Sequence, residues 1–144
     1  MRLEDIRKMV QEDSVIDDTE LDLESLKLPQ LHNKYLNIYH DEKLFLLKTE
    51  SDLKKAIRVK WEYYTGKLDE DTLEELGLEP FPLKILKQDL DKYLESDDDI
   101  IELNHKYIFQ KEKVDYLESV LKEITNRHWK IKNAIEWRKF VSGV

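Results

Sequence analysis

SDDDIIELNHKYIFQKEKVDYLESVLKEI, residues 96–124, is the stretch that decides the fold. Within it Ile100, Leu103, Tyr107, Gln110, Val114, Leu117, Leu121 and Ile124 recur at steps of 3, 4, 3, 4, 3, 4 and 3. Steps that alternate between three and four keep one stripe of a helix facing a partner, whereas a strand needs a step of two. Ser96, with Asp99 three residues later, reads as the cap that starts this helix. Gln110 is the one polar insertion in the seam, and a polar residue there often fixes register or oligomer state. Asn126-Arg127-His128 reads as a break, and beyond it lies a second amphipathic piece carrying Trp129, Ile131, Ala134, Ile135, Trp137 and Phe140. Its apolar residues lie on more than one side, which is more than a lone terminal helix can bury against one neighbour. The economical expectation is contact between copies of the chain, through Val114, Leu117, Leu121, Ile124, Trp129, Ile131, Ile135, Trp137 and Phe140. Packing within the chain alone is the other reading.

Working outward, residues 1–13 read as a short amphipathic helix with Leu3, Ile6, Met9 and Val10 on one face. Asp17, Asp18 and Thr19 can cap the next helix, and Pro29 marks a helix start or kink. From Leu31 to Tyr64 the pattern is helical, with a break expected near His40 and Asp41 and a stop at Thr65-Gly66. A small helix is bracketed by a capping box from Thr72 to Glu75 and by Gly77. Glu79-Pro80-Phe81-Pro82 is a rigid connector and the candidate boundary, giving an N-terminal helical part, 1–79, that carries a basic segment and a C-terminal hairpin and oligomerisation part, 80–144. The fold class is therefore all-α: N-terminal helices carrying a basic segment, then a long heptad-patterned helix and a C-terminal amphipathic helix that drive oligomerisation.

That basic segment is KKAIRVKWEYYTGK, residues 54–67, and it stands against a formal net charge of −8 for the 144-residue chain. Five cations (Lys54, Lys55, Arg58, Lys60, Lys67) and three aromatics (Trp61, Tyr63, Tyr64) fall within it. The stretch from Lys48 to Lys67 nets +3, while Leu68 to Ile100 nets −9. Cations neutralise phosphates and aromatic faces stack unpaired bases, so an island of this kind suits a single-stranded nucleic acid. A solvated basic helix face with aromatics in the core is the plainer reading. At about 100° per residue, Leu53, Ile57, Trp61 and Tyr64 cluster on one side with Ala56 at the edge, opposite Lys54, Lys55, Arg58 and Glu62. Lys60 projects into the apolar stripe, where it must snorkel to water, meet an anion or an aromatic face, or line a groove that receives phosphate. Arg58 and Lys60 point about 160° apart, so both reach one strand only near a helix end or where subunits complete a channel.

Much chemistry is excluded. With no cysteine there is no disulfide and no thiol catalysis, and three scattered glycines cannot build a phosphate loop. His32, His40, His105 and His128 lack metal-site spacing, and Asp97, Asp98 and Asp99 read as a capped helix start rather than a magnesium site. Ser14, Ser25, Ser51 and Ser119 have no histidine base nearby in sequence. No apolar run reaches the roughly 18 residues of a membrane span, and the N-terminus has no signal pattern. The expectation is a soluble, cytoplasmic protein without enzymatic activity, metal or cofactor. Global acidity repels duplex DNA, so any nucleic-acid contact is local.

The chain resembles the UvsY family of bacteriophage recombination mediators over most of its length. The resemblance is carried by Met1-Arg2-Leu3-Glu4-Asp5, Lys54-Lys55, Arg58-Val59-Lys60, Tyr63-Tyr64-Thr65-Gly66-Lys67 and the C-terminal helices with Asn126-Arg127. It implies a closed ring-like homo-oligomer that binds single-stranded DNA and loads a phage RecA-like recombinase onto DNA covered by the phage single-strand-binding protein. It implies action in the cytoplasm of the infected bacterial host and no nucleotide hydrolysis of its own. The family's DNA-binding residues fall on Arg58 and Lys60, here in the order arginine then lysine, the reverse of the family pattern. On the reading of the residues themselves, Lys54, Lys55 and Lys67 are expected to assist, with Trp61 or Tyr64. The competing reading is a helical scaffold or adaptor with no DNA role, and an enzyme whose site forms between subunits is a third.

Overall fold

The structure is a computed structural model that describes residues 1–143. Every regular element among them is a helix: α1 (Leu3–Asp13), α2 (Leu21–Tyr64), α3 (Glu70–Glu75), α4 (Leu90–Glu95) and α5 (Asp98–Val141). The all-α expectation holds. Both long helices have 44 residues and run unbroken, so the breaks expected at His40–Asp41 and at 126–128 are absent. Pro29 lies inside α2 at an exposed position, and Ser25, whose carbonyl it leaves without a helical N–H, is exposed as well. Asp17 accepts from the Thr19 N–H at 3.0 Å and closes a turn ahead of α2 rather than capping it.

The chain divides into two compact units, Met1–Leu44 with Lys111–Val144, and Phe45–Gln110. The boundary expected at 79/80 falls inside the second. The core of the first is Ile6, Tyr35, Leu117, Val120 and Ile124, with Met9, Val10, Leu31, Ile38 and Leu121 packed against it. This is the apolar face of α1 laid on stripes of α2 and α5. The α5 stripe of this unit is the later part of the heptad seam, with Val114, Leu117 and Ile124 buried and Leu121 half-buried. In the second unit the earlier seam positions Ile100 and Gln110 are buried and Leu103 and Tyr107 half-buried.

Polar residues at the margin of this core are paired. The Asp13 carboxylate accepts from Lys34 Nζ and from the Tyr35 hydroxyl, each at 2.7 Å, and Arg127 Nη1 donates to the Asp13 carbonyl at 2.8 Å. Burial alone would raise the Asp13 carboxyl, but the bonds from Lys34 and Tyr35 outweigh it and hold it below its ordinary value. Arg127 explains why 126–128 does not break the helix: its side chain is buried in a tertiary bond that favours helix over local propensity.

The expected interface between copies needs correction on the same ground. Val114, Leu117, Ile124 and Ile131 are buried within their own chain, and Leu121 packs against its own core. A partner cannot cover what is already covered. Trp129, Trp137 and Phe140 are exposed, Ile135 is half-buried, and the Trp137 and Phe140 rings stack at 5.7 Å.

Truncating Leu117 to alanine is expected to lower unfolding stability by about 2–5 kcal/mol in urea titrations, because it opens a cavity in a fully buried seam. Leu26→Ala, at an exposed site on α2, should stay within about 0.5 kcal/mol of the parent.

Candidate nucleic-acid interface

The basic segment forms the last turns of α2 and the residues that end it. Gly66, at φ +73°, supplies the left-handed step; its N–H meets the Tyr63 carbonyl at 3.2 Å and the Lys67 N–H meets the Glu62 carbonyl at 2.8 Å. This C-cap folds Lys67 back along the helix and sets its ammonium 4.1 Å from the centre of the Trp61 ring.

The helix is rotated relative to the stripe expected from sequence. Leu53, Ala56, Val59, Lys60, Glu62, Tyr63 and Tyr64 are half-buried, while Lys54, Lys55, Ile57, Arg58 and Trp61 are exposed. Trp61, 37% exposed, therefore lies on the flank of Lys54 and Arg58 instead of in the core. On the wheel these three span about 60°. The result is one open face carrying two cations and an indole, with a third cation over the ring. Lys54 has a long ion pair to Glu50 at 3.4 Å; Lys55 and Arg58 have none among the described residues.

Tyr64 is elsewhere. It sits among Tyr63, Phe81 and Tyr93, with ring centres 5.0–5.7 Å apart, and its hydroxyl donates to Asp97 Oδ2 at 2.7 Å. Its expected role as a stacking surface for bases is thus corrected: the ring is committed to an aromatic cluster. The Glu79-Pro80-Phe81-Pro82 connector builds that cluster, through the Phe81 ring and through the Glu79 carbonyl, which accepts from the Tyr63 hydroxyl at 2.9 Å.

Lys60 faces inward and meets anions, one of the outcomes its place in the stripe allows. Its ammonium lies 3.3 Å from Asp97 Oδ2 and 2.8 Å from Asp99 Oδ2, with the Tyr63 ring 5.8 Å away. Burial works to lower its pKa, but Asp99 and Asp97 outweigh it, so the amine is held charged above its ordinary value. Of the outcomes its place in the stripe left open, this is the meeting with an anion: two carboxylates of its own chain hold the ammonium.

Those two carboxylates differ. Asp97 is the cap of α5, its Oδ1 accepting from the Ile100 N–H at 3.1 Å, so the cap sits one residue beyond the expected Ser96. Ser96 instead closes α4, its hydroxyl donating to the Lys92 carbonyl. The Asp97 side chain is only 5% exposed, whereas Asp99 is 69% exposed and Lys60 13%. Leaving a buried charge unpaired costs about 3–5 kcal/mol. An exposed pair contributes about 0.2–1 kcal/mol. The Asp97 arm joins two buried side chains, whereas the Asp99 arm joins buried Lys60 to an exposed carboxylate. A parallel correction applies to α3, whose cap is Asp69, accepting from the Thr72 N–H at 2.8 Å, rather than Thr72.

Sequence reasoning missed the partners of Lys60 and the outward turn of Ile57 and Trp61. The acidic run at 97–99 was the available signal for the first. For Trp61 the wheel itself was the signal, since at about 100° per residue it falls about 20° from Lys54 and about 60° from Arg58 rather than opposite them. For Ile57 no signal within α2 fixes the rotation, because Lys60 and Tyr64 are held by residues more than thirty positions away.

A family model described as "Recombination, repair and ssDNA binding protein UvsY" matches residues 9–144. The chain belongs to the UvsY family. It is 27% identical over 143 residues to the recombination protein uvsY of Enterobacteria phage T4, covering 99% of both chains. Two crystal structures of the bacteriophage T4 recombination mediator protein UvsY superpose on it. One has a TM-score of 0.86 at 27% identity, covering 99% of this chain and 98% of the other. The second has 0.85 at 26%, covering 97% and 99%. This UvsY-family chain thus shares the all-α fold of those structures.

The Asp97 node makes stability depend on acid in a defined direction. Burial tends to raise its carboxyl, but the Tyr64 hydroxyl, the Ile100 N–H and Lys60 together hold it below the ordinary 3.8. A depressed carboxyl contributes stability that is full above its unfolded pKa and is lost as pH falls through the folded one. Asp97→Asn should cost about 1–3 kcal/mol near neutrality. In urea titrations from about pH 5 down to about pH 2, its stability should fall less steeply than the parent's. Parallel curves for the two proteins would show that the carboxylate does not carry this dependence.

Proposed function

We propose that this UvsY-family chain is a non-enzymatic recombination mediator that binds single-stranded DNA as a homo-oligomer. It weakens the hold of the phage single-strand-binding protein and promotes loading of the RecA-like recombinase in phage recombination and repair, within the cytoplasm of the infected host. The observation that carries this reading is the open face of α2, where Lys54, Arg58 and Trp61 stand together and Lys67 caps the indole. Cations there neutralise phosphates and the indole stacks a base, while Lys55 adds charge at the flank.

A single such face is weak against a chain of net charge −8. Repetition around a closed ring supplies avidity without any new contact, and it gives a strand several points at which to bend away from a resident protein. The exposed Trp129, Trp137 and Phe140, with Ile135, support subunit contact at the end of α5. The acidic stretch 69–99 suits basic surfaces of partner proteins and keeps stray DNA off. No cofactor or metal takes part.

Fluorescence anisotropy of a labelled single-stranded oligonucleotide at two salt concentrations tests the reading, with light scattering to check the oligomer. Lys54→Ala/Arg58→Ala should weaken binding by tenfold or more. It should also reduce the salt slope by about 0.7 for each phosphate that the variant no longer neutralises. Trp61→Ala should cost about 1–3 kcal/mol with little change in slope. No binding by a well-folded parent oligomer would put the scaffold reading ahead.

A further inference from the structure

We propose that Asp99 holds, on Lys60, the place of a nucleic-acid phosphate, so that α2 carries one cation in reserve that a bound strand must release. The inference rests on the single-strand reading above and adds to it a competitor within the chain. Asp97 cannot play this part. Its Oδ1 is fixed by the Ile100 N–H and its Oδ2 by the Tyr64 hydroxyl, and the carboxylate is buried. Asp99 sits in the first turn of α5 with its side chain in water, and Lys60 is its one ion-pair partner among the described residues.

A phosphate oxygen arriving at the Asp99 position replaces one anion by another. Lys60 keeps its charge balance and its Asp97 anchor, and the Asp99 carboxylate returns to solvent. The exchange lies on the solvent side of the pair: the Asp99 side chain is 69% exposed, and Lys60 is one turn from the end of α2 at Tyr64. Arg58 and Lys60 point about 160° apart. A strand held first on the Arg58 face can therefore engage Lys60 only by passing around this helix end, and displacement of Asp99 accompanies that passage. The contact discriminates between a strand that merely touches the basic face and one that wraps it.

Asp99→Asn, Asp98→Asn and Asp99→Asn/Lys60→Gln, compared with the parent on a labelled oligothymidylate across a salt series, test this. Asp98→Asn removes the same charge one position away, where no ion pair to Lys60 exists among the described residues. The expected result is a roughly two- to fivefold gain in affinity for Asp99→Asn at low salt, the range of an exposed ion pair. Its salt slope should steepen by about 0.7 for each phosphate newly engaged. Acetylation of Lys60, read by mass spectrometry, should increase in Asp99→Asn and be suppressed by the oligonucleotide. The gain should vanish in the double variant. If Asp98→Asn and Asp99→Asn behave alike, or the gain survives without Lys60, the effect is general repulsion and the latch is overturned while single-strand binding stands. If neither parent nor Asp99→Asn binds the oligonucleotide, the single-strand reading falls and the latch with it.

Discussion

The Asp97 carboxylate has two oxygens and three partners: the Ile100 N–H, the Tyr64 hydroxyl and the Lys60 ammonium. What a helix shows to solvent is set by one rotation about its axis, and every side chain turns together. Once Lys60 and Tyr64 are pinned to Asp97, the directions of Lys54, Arg58 and Trp61 are set without any contact of their own. The exposed basic face is therefore a consequence of a buried acid. The same acid starts α5, so the 44-residue helix and the surface on α2 share one anchor. The tight cluster of Tyr63, Tyr64, Phe81 and Tyr93 then protects that anchor from water and keeps its electrostatics strong.

The other unit uses the same device at its own margin. Asp13 gathers Lys34 and Tyr35 through its side chain and Arg127 through its carbonyl, and Glu42 lies 3.6 Å from Lys113 with both side chains buried. Such pairs contribute little net stability, since desolvation offsets their attraction. Their effect is on register. A long apolar stripe can slide by one heptad with modest loss, but a slide here would strand a charge in the core.

These anchors also explain what could be read from the chain and what could not. The seam from Ile100 to Ile124 was legible because apolar spacing is local information. So was the stop at Thr65-Gly66, and so was the choice facing Lys60 between water, an anion and an aromatic face. The expected break at 126–128 was wrong because Arg127 is stabilised by a partner 114 residues away. Pro29 has the local signature of a boundary, yet on a solvated helix side the missing N–H is tolerated. Caps were displaced by one residue at Ser96 and three at Thr72, since neighbouring aspartates offered a better-placed oxygen. The membership of the basic segment was visible. Its orientation was not, because the wheel has no zero until Asp97 supplies one.

The ammonium of Lys67, parked 4.1 Å from the Trp61 ring centre, makes that indole an optical witness. An excited indole moves charge across its two rings, and a cation beside it shifts the colour and yield of its emission. A base stacked on the ring, or a phosphate that draws the lysine aside, perturbs the same field. The chain holds only two other indoles, Trp129 and Trp137, both near the far end of α5. Replacing those with phenylalanine would leave a protein whose ultraviolet glow comes from its basic face alone, free of any attached dye.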